Sequence, residues 1–188
     1  MPPLLIVPIG VNNIPASPAL ASRLQSIFRV EVSITPAGMV HTDAAFDVSR
    51  RQYDSNQLML SLEEAFPRQT GKVLGITSLD LYVPGLTHVV GHAQFDGRCA
   101  TVSSYRLEQA LYGFPENHLL LEERLHKEAI HQLGHAYGLF NCESYTCVMH
   151  PSTAVEDIDA RSIDFCTECG HVLEGRLDGG SPPPPRNT

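Results

Sequence analysis

The 188-residue chain carries 13 basic and 21 acidic side chains, a formal charge of −8, with 43% hydrophobic and 18% charged residues. That balance is globular and not disordered, fits one compact domain, and excludes binding driven by a nucleic-acid backbone. No apolar run approaches the ~20 residues a membrane helix requires, and the proline-bearing MPPLLIVPIG start lacks the basic region of a signal peptide. A cytoplasmic monomer with no nucleic-acid or membrane partner is the expectation.

In chain order, Leu4 to Ile9 reads as a buried strand bounded by prolines and glycine. Ser17-Pro18 reads as an N-cap and first helical turn, the helix running to Phe28 with Leu20, Leu24, Ile27 and Phe28 on one face. Val30 to Ile34 alternates as a second strand. After a turn-rich stretch, Asp54 opens a helix with Gln57 in the capping-box position, an apolar stripe of Leu58, Leu62, Ala65 and Phe66, and Pro67 at its end. Lys72 to Thr77 and Leu79 to Val83 read as strands. His88 to Tyr105 reads as an antiparallel pair turning at Asp96-Gly97. The order βαβα followed by further strands predicts an α/β fold with a sheet of mixed direction. A long helix from near Glu116 to Gly138 carries Leu119, Leu120, Leu125, Ile130 and Leu133. The composition shift beyond it sets expected units of 1–138, 139–178 and a flexible proline-rich tail at 179–188.

The stretch Lys127 to Met149, KEAIHQLGHAYGLFNCESYTCVM, carries the chemistry. His131 and His135 stand four apart, about 6 Å along a helix and about 40° around it, so both rings can turn onto one zinc. H-x-x-x-H is short and common by accident, and the pair alone is as readily two ordinary helix histidines. Gly138, three residues on, suits a helix-ending turn that swings residue 141 back toward the pair. Cys142 and Cys147, with Cys166 and Cys169, form C-x4-C and C-x2-C pairs, a four-thiolate set that reads as a closed structural zinc site and not as disulfides in a reducing compartment. Cys99 reads as a buried small hydrophobe. His88 and His92, if joined by a strand, lie about 13 Å apart and cannot share a metal.

These residues resemble the archaemetzincin family, whose motif is H-E-x-x-H-x-x-G-x-x-H followed by C-x4-C-x-M and a later C-x-x-C. The likeness extends to VPIG at 7–10, RRQYDSNQLM at 50–59 and LGITSLDLYVPG at 74–85. The resemblance implies a metzincin-like α/β fold with an active-site helix and a short zinc-stapled C-terminal subdomain. It implies two zincs, one catalytic and one on Cys142, Cys147, Cys166 and Cys169, a methionine turn at Met149, and hydrolysis of peptide or protein substrates. His131 and His135 match the first two catalytic-zinc ligands. Gln132 stands where the family has its general-base glutamate, and Asn141 where it has the third histidine. An amide offers no usable base, and loss of a positioned base typically removes about 10²–10⁴-fold of rate. Asn141 is a poorer zinc ligand than imidazole. Glu128 is expected to point away from the reaction centre and to support an imidazole, and His150 is a possible substitute ligand. Two functions are therefore expected to compete: a metallopeptidase with impaired activity, and a non-catalytic peptide-binding descendant that retains only the cysteine zinc.

Overall fold

The computed structural model describes residues 2–10, 16–67 and 71–181. Its main sheet has five strands in the order β2-β1-β5-β8-β7. These are β1 (Leu4–Ile9), β2 (Val32–Ile34), β5 (Lys72–Thr77), β7 (Gly91–Ala93) and β8 (Cys99–Ser103). Four run parallel, and β7 pairs antiparallel with β8 through Gly91–Val102, His92–Thr101 and Ala93–Ala100. The turn between β7 and β8 contains Asp96 in the left-handed region (φ 48°), as the Asp-Gly signal predicts. An apolar β1 suits a strand buried on both faces. Leu4 and Ile6 pack with one hydrophobic cluster, and Val7 and Ile9 with another.

The first cluster joins that sheet face to helix α1 (Pro18–Phe28) and helix α3 (His118–Ala136); the second joins the opposite face to helix α2 (Ser55–Ala65). Ser17 and Asp54 cap their helices by accepting from Leu20 N and Asn56 N, each satisfying a backbone donor that a helix start leaves open. Gly75 lets α2 close on the sheet, because a Cβ there would meet Ile9 Cδ1 at 2.5 Å and Leu62 Cδ1 at 3.0 Å.

Three expectations need correction. The turn-rich stretch contains strands β3 (Phe46–Asp47) and β4 (Gln52–Asp54), which form a small second sheet with β6 (Leu81–Tyr82) in the order β3-β4-β6. Strands of two or three residues are too short to show alternation. The long helix begins at His118, capped by Asn117 and not near Glu116. Leu119 is 80% exposed and lies off the buried stripe. Beyond α3, a loop leads to helix α4 (Val155–Ala160) and helix α5 (Thr167–Leu177). Leu139, Val148, Ile158 and Leu173 share the hydrophobic cluster of Leu4 and Leu74. Of the proline-rich tail, residues 182–188 lie outside the described residues.

Candidate metal centre

Helix α3 is buried without a break from Arg124 to Gly134. It forms the floor of a cleft of about 710 Å³ bounded by β7 on one side and by residues 151–155 on the other. His131, Gln132, His135 and Asn141 all line it, so the structure brings the four residues of the interrupted motif to one place. The helix ends as the glycine signal requires. Gly138 adopts φ 87°, Leu139 N donates to Gly134 O, and the chain turns back so that Asn141 reaches the cleft.

Both imidazoles are fixed from behind by backbone carbonyls. His131 Nδ1 lies 2.8 Å from Val148 O, and His135 Nδ1 lies 2.8 Å from Leu139 O. The two Nε2 atoms lie 3.0 Å apart, and each presents a lone pair in the tautomer that donates Nδ1–H to these oxygens; in the other tautomer of His131, Nδ1 accepts from Arg161 Nη1 at 2.9 Å and Nε2–H donates to His135 Nε2. Two lone pairs so placed repel unless a cation lies between them. The spacing is within a few tenths of an ångström of what two nitrogens at about 2.0–2.1 Å from one tetrahedral zinc require. Burial pushes His131 down to about 4 and lowers His135 as well, so both are neutral and in the ligand form at pH 7.

Gln132 does not point at that pair. Its Nε2–H donates to Glu128 Oε1 at 2.8 Å, and its side chain packs under β7, where a Cβ on Gly91 would meet Gln132 Cγ at 2.7 Å. Glu128, expected to point away and to support an imidazole, instead lines the cleft and hydrogen-bonds Gln132 and Arg161. Burial raises the Glu128 carboxyl, but His131, Arg161 and the hydrogen bonds hold it below its ordinary range. His150 is no substitute ligand in this arrangement, since its Nδ1 bonds Cys142 O at 2.9 Å and it does not line the cleft. His92 and His88 also line the cleft, but among the described residues they form no metal-binding group with the histidine pair.

Arg161 is the residue that sequence reasoning missed. Its side chain has no exposure. It donates through Nη2 to Glu128 Oε2 at 2.8 Å, and through Nη1 to His150 O at 2.8 Å and Val148 O at 3.1 Å. Val148 O also lies against His131 Nδ1, so one guanidinium ties the helix carboxylate to the loop behind that imidazole. No motif marks it, and it lies 30 residues from His131. Replacing Arg161 by alanine is expected to cost about 3–5 kcal/mol, because it leaves the Glu128 charge buried and unpaired. The shift in a urea-unfolding midpoint measures this, and an unchanged midpoint would show that the pair contributes nothing.

Met149 lies beneath the same helix. A Cβ on Gly134 would meet Met149 Sδ at 2.4 Å, so glycine between the two histidines is what lets Met149 pack against α3. The second cluster follows. The ligand atoms of Cys142, Cys147, Cys166 and Cys169 all lie within 4.8 Å of one another, and Cys142 Sγ is 3.7 Å from Cys166 Sγ. Sulfurs about 2.3 Å from a tetrahedral zinc require nearly that separation. Cys166 N donates to Cys147 Sγ, and a backbone N–H of Cys169, at the start of α5, lowers the Cys166 thiol. The group fits a structural zinc. Cys99 is buried apart from it, its thiol pushed up to about 11 by burial.

Comparison with known proteins agrees with this geometry. The model of peptidase family M54 matches residues 25–175. Archaemetzincin from Archaeoglobus fulgidus is 37% identical over 171 residues, covering 90% of this chain and 98% of that protein. The protein of the same name from Pyrococcus furiosus is 34% identical, covering 94% and 95%. The crystal structure of archaemetzincin from Methanopyrus kandleri superposes with a TM-score of 0.81 at 30% identity, over 94% of this chain and 96% of that one. Among the described residues, no helix is long and apolar enough to cross a membrane. The chain belongs to peptidase family M54, the archaemetzincins.

Proposed function

We propose that the chain is a zinc metallopeptidase scaffold that binds an extended peptide in the α3 cleft and hydrolyses it with impaired efficiency. The observation that carries this reading is the convergence of two neutral Nε2 atoms at 3.0 Å on the floor of an open cleft. His131, His135 and the amide of Asn141 would hold the metal, which would supply Lewis-acid polarisation of a peptide carbonyl and of the attacking water. The chain's own residues do the rest. Val148 O and Leu139 O hold the imidazoles from behind, and β7, the last strand of the main sheet, would offer its outer edge to an added peptide strand. No group in this centre serves as an unencumbered base. Gln132 is an amide, and the only cleft-lining carboxylate among the described residues, Glu128, is held by Arg161 and Gln132.

That pairing of Gln132 with Glu128 is also what favours the second reading, a cleft that binds peptides without cutting them. Zinc stoichiometry of the purified chain by elemental analysis separates the readings. Two zincs per chain are expected, and one zinc that disappears with the cysteines would remove the peptidase proposal.

A further inference from the structure

At the end where β7 runs out, Phe95 is 45% exposed and its ring lies 4.4 Å, centroid to centroid, from that of Phe140. This pair brackets His135. Asp96 N, one residue past Phe95, donates to His135 O, while Leu139 O, one residue before Phe140, takes the hydrogen bond of His135 Nδ1. Helix α3 and the returning loop therefore fix the aromatic pair beside the metal centre, with Phe95 in the cleft wall.

Charge in the cleft is cancelled. Apart from histidines, the ionisable side chains among its described lining that carry charge at pH 7 are Arg106 and Glu128. Arg106 is held by both oxygens of Asp80 at 2.7 and 2.8 Å, and Glu128 by Arg161. A chain of net charge −8 thus presents a neutral groove with an exposed aromatic platform at one end. Such a surface gains nothing from a charged segment and gains apolar contact area from a large side chain.

We propose that the Phe95–Phe140 pair is a specificity subsite, and that the cleft selects uncharged extended peptides with a bulky apolar or aromatic side chain at that position. The inference rests on the peptide-binding reading above. Gly91 packs on Gln132, and Phe95 stands in the turn just past Ala93, the last residue of β7. A peptide pairing antiparallel with β7 runs opposite to it, so the favoured side chain belongs to residues that precede the carbonyl over the histidine pair.

The test uses the full-length, zinc-loaded chain and blocked, fluorescently labelled octapeptides of alanine, serine and glutamine. One phenylalanine is moved through the positions, and binding is read by anisotropy. Peptides with phenylalanine at one N-terminal-side position are expected to bind about 10-fold tighter than the all-small peptide. That preference should collapse in Phe95→Ala and survive in Phe95→Leu, which keeps apolar area and controls for folding. Equal binding of all peptides, or a preference unchanged in Phe95→Ala, overturns the subsite and leaves the peptide cleft standing. Binding of no peptide at all removes the cleft reading and the subsite with it.

Discussion

Changing Gln132 to glutamate and Asn141 to histidine in one chain is expected to raise zinc-dependent peptide hydrolysis by at least about 10²–10⁴-fold, the usual contribution of a positioned general base. Neither change alone should achieve it. Asn141→His completes a three-nitrogen ligand set and tightens metal binding, yet leaves no group to take the proton of the attacking water. Gln132→Glu supplies the base but places it at a position now 2.8 Å from Glu128 Oε1. Two carboxylates at that distance disfavour ionising together, and the repulsion turns the new side chain away from Glu128 and toward the histidine pair. Arg161, already bonded to Glu128, keeps the buried carboxylate ionised and so favours that outcome. The two substitutions should therefore be strongly non-additive, as expected of residues that act as one unit. Cleavage of a broad peptide library, read by mass spectrometry for parent, singles and double, is the measurement. Activity in the double variant alone identifies the parent as a peptidase that has lost its base and third ligand. No activity in any of the four would remove the peptidase reading of the cleft.

The residues that sequence reasoning located and those it missed differ in how far apart their partners lie. Helices α1 and α2 announce themselves because burial on one face imposes a period near 3.6 over ten or more residues, and Ser17 and Asp54 mark their starts. His131, His135 and the four cysteines are legible as candidate ligands because a metal demands fixed ligand types at short spacings. Gly138 is legible because a left-handed turn favours glycine. By contrast, the partner of Glu128 comes from the loop after α4, and nothing near Arg161 in the chain marks it as buried. The orientation of Gln132 is set by that distant pair together with Gly91 of the edge strand. The motif marks Gln132 as the amide at a glutamate position of the family; only the fold shows that this amide donates to Glu128.

Cys166→Ser is expected to abolish zinc retention at the cysteine group and to lower unfolding stability by several kcal/mol. Cys166 is the least buried of the four ligands, so the change disturbs core packing least and isolates the contribution of the metal. Structural zinc in small peptides contributes apparent free energies of about 10–16 kcal/mol. The effect here should be smaller, because Val148, Ile158 and Leu173 also hold the C-terminal segment in the main core. The local consequence should exceed the global one. Cys142 follows Asn141 directly and its N–H donates to Met149 O, while Val148, whose carbonyl lies against His131 Nδ1, stands between Cys147 and Met149. Loosening the cysteine group thus frees the third-ligand position and the carbonyl behind the first histidine at once, and the histidine centre should lose metal affinity although none of its ligands has changed. Urea unfolding and zinc counting on Cys166→Ser, beside Cys99→Ser, measure both effects. The Cys99 variant should keep all its zinc, because that thiol lies in the second hydrophobic cluster. If Cys166→Ser keeps the parent's zinc content and midpoint, the cysteine group is not a metal staple, and its hold on the histidine centre fails with it.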